Sequence, residues 1–176
     1  NSATVGGLTN LTVNTGSGSD VLTINGNVTL PGKFTIQSVN VNSTGGTITT
    51  GTGLEINHTG TSSNLAGTIS GAGGLTKLGS GALILSGANN YTGATNATDG
   101  TLLIHGSVTS NVTATSPAML YGKGTVTGNI TGTGEFSPGA SPGIMNVAGN
   151  FTPVGTVMME VNPPAAVAGV DYDQYI

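Results

Sequence analysis

The chain has no cysteine and no tryptophan, and its three basic side chains, Lys33, Lys77 and Lys123, include no arginine. Without cysteine there is no disulfide scaffold, no thiolate zinc site and no thiol nucleophile. With three lysines against seven carboxylates, the net charge of −4 offers no basic face to nucleic acid or to an anionic membrane surface. Charged residues make up 6% of the chain, against about a quarter in ordinary soluble domains. Such scarcity can mark a membrane span, but no apolar run approaches the roughly 18 residues of a spanning helix. Helical spacing is missing as well, because 31 glycines interrupt the 176 positions every few residues.

What remains is rich in Val, Ile, Leu, Thr and Asn, with apolar and polar residues alternating over short stretches. The alternation predicts strands at Leu8–Val13, Val21–Ile24, Asn27–Leu30, Phe34–Ile36, Val39–Val41, Thr47–Thr49, Leu54–Ile56 and Leu65–Ile69. It continues at Leu75–Leu78, Leu83–Leu85, Thr101–Ile104, Val108–Thr109, Asn111–Thr113, Thr125–Val126, Asn129–Thr131 and Val157–Val161. Gly or Asn punctuates these strands and supplies turns. Disorder is disfavoured, since disordered chains combine high charge with few β-branched residues.

Internal similarity points to stacking. Asn25-Gly26-Asn27-Val28-Thr29, Thr127-Gly128-Asn129-Ile130-Thr131 and Ala148-Gly149-Asn150-Phe151-Thr152 share a Gly-Asn-apolar-Thr core. Their irregular spacing reads as a degenerate β-solenoid, which at roughly 20 residues per coil would make about eight coils. The expected organisation is a single all-β domain, 1–176, with Val, Ile and Leu inward and Thr and Asn laddered outward. A β-sandwich is the rival. Pro-containing segments 137–143 and 162–170 are expected as loop excursions, because proline cannot feed a ladder. The chain opens at Asn1 without Met or a leader, which reads as a mature or excised piece. Its strand-like end at Ile176 reads as a polypeptide that continues.

One stretch is more specific. Residues 74–95, GLTKLGSGALILSGANNYTGAT, resemble the passenger-associated repeat of bacterial autotransporters. Asp99-Gly100-Thr101-Leu102 continues the pattern, so the best match lies within 73–106; the Ser-Pro-Gly pair ending at Gly143 belongs to a looser match that extends to Val161. The resemblance implies a right-handed parallel β-helix, a secreted or outer-membrane location, and a passenger exported through a C-terminal barrel.

Reactive groups are sparse. Gly139-Ala140-Ser141-Pro142-Gly143 spells G-x-S-x-G, but no helix follows and Pro142 has no N–H for an oxyanion hole. His58 and His105 lie in different expected coils with no acid or second ligand at metal spacing, and both read as outward strand residues. Asp20 after a Gly-Ser turn echoes half of a calcium-binding nonapeptide, and Asp171 with Asp173 makes a second small acidic pair. Neither completes a site, so no metal or cofactor is expected. Asp20, Glu55, Asp99, Glu135 and Glu160 are too scattered for the carboxylate pair of a polysaccharide-cleaving enzyme. Nine N-x-S/T triplets begin at Asn10, Asn27, Asn42, Asn57, Asn90, Asn96, Asn111, Asn129 and Asn150; glycosylation there would add bulk to a surface of low charge.

The functional expectation is a non-enzymatic, extracellular or cell-surface adhesive solenoid. Its outward hydroxyls, amides and tyrosines (Tyr91, Tyr121) would meet glycans or proteins. The alternative is a filament subunit that stacks end to end through open sheet edges, and the second alternative is a polysaccharide-acting β-helix enzyme. Direct membrane insertion and nucleic-acid binding are not expected.

Overall fold

In a strand, successive side chains point to opposite faces, so a stretch such as Ala82-Leu83-Ile84-Leu85 can bury two leucines on one side. A single strand of this kind hides too little apolar surface to stand alone, and the chain solves this by stacking. In the computed structural model, which describes residues 7–16, 20–38, 40–139, 143–160 and 174–176, the strands form a parallel β-solenoid. Among the described residues there is no helix.

Each coil contributes a strand to each of three faces. The first face stacks Leu11–Asn14, Lys33–Ser38, Gly53–His58, Gly74–Leu78, Thr95–Ala97, Val112–Ala114, Ile130–Gly132 and Phe151–Pro153. The second stacks Val21–Ile24, Asn40–Ser43, Ser63–Leu65, Ala82–Leu85, Thr101–Ile104, Met119–Gly122, Glu135–Pro138 and Thr156–Val157. The third face is split into two sheets. Val28–Leu30, Thr47–Thr50 and Thr68–Ser70 form one, and Ala88–Asn89, Ser107–Val108, Thr125–Val126, Ile144–Val147 and Gln174–Tyr175 form the other. Every named strand pair is parallel. Eight strands on each long face span about seven turns from first to last, in line with the roughly eight coils the sequence suggested.

The register shows how constant the coil is. Along the first face, Leu11, Phe34, Leu54, Leu75, Thr95, Val112, Ile130 and Phe151 stack in one column. Successive members lie 17 to 23 residues apart. On the second face the inward columns include Leu83, Leu102, Leu120 and Phe136, and beside them Leu65, Leu85 and Ile104, all fully buried. Full burial of a Leu or Ile side chain contributes about 1.5–3 kcal/mol. The core is mostly apolar and runs continuously along the stack, with a few polar side chains set into it.

Corners depart from the sequence expectation in two places. Leu65–Ile69 is not one strand: the chain turns at Ala66-Gly67, so Leu65 lies on the second face and Ile69 on the third. Ser137 and Pro138 are not loop residues; they end the strand Glu135–Pro138, and Gly139 (φ 91°) follows. Proline is tolerated there because it closes the strand. The excursion at 162–170 lies outside the described residues.

Candidate functional site

The residues that bear chemistry fall into two groups, one buried inside the coils and one laddered outside. The inner group clusters in residues 75–110. Lys77 takes an inward position, with Ile56 below and Ala97 above in its column, then Ala114. It is fully buried. Its Nζ donates to three main-chain oxygens: Leu78 O at 3.1 Å, Gly79 O at 2.6 Å and Asp99 O at 3.1 Å. An ammonium has three donors, so each one is satisfied. Burial lowers the Lys77 pKa to about 8, and the Asp99 charge opposes that fall. Gly79 is required here: its φ of +75° is left-handed, and a Cβ would meet His58 O at 2.4 Å.

Asn89 does similar work on the third face. Its Oδ1 accepts the Ile69 N–H at 2.9 Å, and its Nδ2 donates to Gly87 O at 3.0 Å and Ser107 O at 3.1 Å. It joins the coil below to the coil above at the point where the third face splits into two sheets. Tyr91 closes the set. Its hydroxyl meets Thr95 Oγ1 at 2.5 Å, and Thr95 Oγ1 meets Ser110 Oγ at 2.8 Å, all in the interior. Burial pushes the Tyr91 pKa up to about 12, against the pull of these two hydrogen bonds.

Two outward assignments are therefore corrected. Tyr91 is 1% exposed and meets nothing outside the solenoid. His58 is likewise buried, with Nδ1 3.2 Å from Ser63 Oγ, which itself accepts the Val41 N–H at 2.8 Å. A Cβ on Gly81 would lie 2.6 Å from the His58 ring, so that glycine makes room for it. Both residues read as outward because alternation was counted through corners, where the chain resets its inside and outside. His105 is half-buried; burial, and then the charge of Lys123, hold its pKa below the usual histidine value.

The carboxylates stay apart. Glu55 pairs with Lys33 at 2.6 Å on the first face, and Glu135 accepts a hydrogen bond from Tyr121 on the second. Burial, and then Glu135, push the Tyr121 pKa up to about 12. Asp99 Oδ1 accepts the Gly100 N–H at 2.7 Å, and Asp20 offers its main-chain oxygen to Asn40 N–H at 3.1 Å. Glu160 follows the last strand of the second face. Among the described residues no group of three or more His, Asp and Glu is placed to hold a metal ion. Ser141, Pro142, Asp171 and Asp173 lie outside the described residues.

The outer group explains the Asn-x-Thr triplets in structural terms. Asn10, Asn27, Asn42, Asn111 and Asn129 each accept, through Oδ1, the N–H of a residue one coil on: Lys33, Thr47, Asn64, Asn129 and Asn150, at 2.6 to 3.0 Å. Of the three Gly-Asn-apolar-Thr copies, the second and third are consecutive coils, with Ile130 on Phe151 and Thr131 on Thr152. The first copy sits on the third face, where Val28 pairs with Ile48. The shared signature is thus a capping device that serves more than one face. Two residues after Asn10, Asn111, Asn129 and Asn150 comes the outward column Thr12, Thr35, Glu55, Thr76, Asn96, Thr113, Thr131 and Thr152.

Comparison with known proteins agrees with this architecture. Residues 75–104 match the family model of the passenger-associated-transport-repeat. An extracellular serine protease of Serratia marcescens is 40% identical over 80 residues, a stretch that is 45% of this chain and 8% of that protein. The chain thus spans less than a tenth of that relative's length. No solved structure matches significantly. The matched repeat contains Lys77, Asn89, Tyr91 and Thr95, four buried polar side chains that tie each coil to its neighbours. The chain therefore carries an autotransporter-passenger repeat, built as the central turns of a parallel β-solenoid.

Proposed function

We propose that this chain is a stretch of a secreted or cell-surface passenger that acts as a non-enzymatic, adhesive β-solenoid. The observation that carries the reading is the use to which polar groups are put. Inside, they bind main-chain atoms and hold the coils in register; outside, they form an eight-coil column of mostly Thr and Asn. A surface of this kind meets partners through many modest hydrogen bonds, each worth about 1 kcal/mol. The S. marcescens relative supports an extracellular setting by its name alone. The test is protease shaving and antibody labelling of intact cells that express the gene, followed by adhesion of the purified chain to cell-surface extracts. Labelling and adhesion are expected. A chain retained inside the cell, or one that adheres to nothing, would overturn the reading.

The filament alternative has one observation in its favour. Among the described residues the first coil carries Asn10-Leu11-Thr12 and the last Asn150-Phe151-Thr152, the same motif in the same columns, so one copy stacked on another would keep the column chemistry. Leu11, Val13, Leu22 and Val28, in the first described coil, also line a cavity of about 700 Å³. Against this, Pro153 has no N–H to give to an incoming strand. Electron microscopy over a range of concentrations separates the two, with short separate rods expected and long filaments decisive for the alternative.

A further inference from the structure

A groove of about 450 Å³ opens on the outer surface of the first face, lined by Lys33, Thr52, Thr76, Ala94 and Asn96 together with the floor made by Gly53 and Gly74. Its volume lies within the range of small-ligand sites. Two features bear on what it could take. Several outward amides elsewhere are consumed by the ladder: Asn10, Asn27, Asn42, Asn111 and Asn129 cap the next coil, and Asn14 donates to Gln37. In the groove, the side chains of Thr52, Thr76 and Asn96 have no hydrogen-bond partner among the described residues and face solvent wholly or in part. The second feature is electrical. The groove's single ammonium, Lys33, is neutralised by Glu55 at 2.6 Å, which leaves a fixed donor and acceptor side by side with no net charge.

We propose that this groove binds a short run of a neutral, linear glycan lying along the solenoid axis, a proposal that rests on the adhesive reading and names its site and ligand class. Uncharged hydroxyls suit an uncharged wall of hydroxyl, amide and paired ions, and an acidic sugar would have to compete with Glu55 for Lys33. Coils repeat every 4.8 Å or so, close to the rise of one sugar in an extended β-1,4-linked chain. Thr76 and Asn96, on consecutive coils, therefore meet consecutive sugars. A peptide strand is not accommodated, because the floor's main chain is already bonded in the ladder, with Leu75 N–H on Ala94 O at 3.0 Å. Strand addition needs an open edge, and this is a face.

The test titrates the folded chain with a hexamer of β-1,4-linked glucose, by calorimetry and by proton NMR. A sulfated hexasaccharide serves as the acidic comparison. Ala94 is exposed, so Ala94→Gln fills the groove without entering the core, and circular dichroism checks that the fold is kept. The expected result is saturable binding of the neutral hexamer, weakened at least tenfold by Ala94→Gln and about fivefold by Asn96→Ala. Thr101→Ala, on the outer surface of the second face, leaves it unchanged. Binding lost in Thr101→Ala but kept in Ala94→Gln would overturn the site and keep the adhesive reading. Preference for the sulfated sugar would overturn the neutral assignment. No binding of the hexamer by a chain that still adheres to cell-surface extracts would overturn the glycan and leave adhesion standing.

Discussion

On the first face the outward column reads Thr12, Thr35, Glu55, Thr76, Asn96, Thr113, Thr131, Thr152; on the second it reads Thr23, Asn42, Asn64, Ile84, Leu103, Tyr121, Ser137. Both ride on eight parallel strands over the same core, and the inward columns are comparably apolar. Outside, one face stays polar throughout, hydroxyl and amide apart from Glu55, while the other turns apolar in its middle coils. The difference teaches that the ladder and the core fix the fold, and that the outer side chains are free to be set by other demands. Polarity outside is a choice of surface. Polarity inside has to be matched atom by atom.

The sharpest way to break the comparison is to put one charge on each side of the same strand. Leu83→Asp would bury an unpaired carboxylate and should cost more than about 4 kcal/mol, which unfolds the central coils. Ile84→Asp, one residue on and half-exposed, should cost under about 1 kcal/mol. Thermal melts followed by far-UV circular dichroism decide it, and equal losses at the two positions would refute the inside–outside assignment.

Next in size is Asn89→Ala, which strands the Ile69 N–H and relieves two carbonyls of their donor. A loss of about 2–3 kcal/mol is expected, against at most about 1 kcal/mol for Asn64→Ala on the outer surface. Urea unfolding of the two variants gives the contrast directly.

Lys77 and Tyr91 then make stability depend on pH in opposite senses. In the folded chain Lys77 releases its proton near pH 8, while the unfolded chain keeps it to about 10.5. Across that window the unfolded state binds more protons, so stability should rise, by an amount on the order of 2 kcal/mol. Tyr91 runs the other way: unfolded tyrosine ionises near 10, folded Tyr91 near 12, so stability should fall between those values. A melt series from pH 7 to 12 should climb and then drop. Lys77→Met should abolish the climb and Tyr91→Phe should reduce the drop.

The smallest effect sharpens the comparison from outside. Leu103→Thr carries the threonine chemistry of the first face onto the second and should shift stability by no more than about 0.5 kcal/mol. A larger loss would mean that the apolar patch of the second face is part of the packing after all.

Much of this was readable in the residues. Val21–Ile24, Thr101–Ile104 and Thr125–Val126 fall where alternation places them, because bulky apolar residues at period two leave little choice. Thr95–Ala97 and Ala88–Asn89 escaped that reading, since their inward residues are Thr, Ala and Asn, which carry no hydrophobic signal. Lys77 was hidden for a related reason. A lysine in an alternating strand reads as outward, and only the nearness of Leu78 O, Gly79 O and Asp99 O makes an inward ammonium tolerable. Ser63, buried beneath His58, left no trace beyond its place in a Thr-Ser-Ser turn.

By itself the sequence determined the kind of object: short strands, glycine and asparagine corners, and a mostly apolar interior, all set by interactions between residues a few positions apart. The tertiary structure decided which face each strand joins and which polar side chains turn inward. Coils of 17 to 23 residues bring together atoms that local pattern cannot relate, as when Asn89 bridges Ile69 and Ser107. A change of one residue at a corner exchanges inside for outside. That decision rests on how many residues each corner consumes, and it is made only when the coils stack.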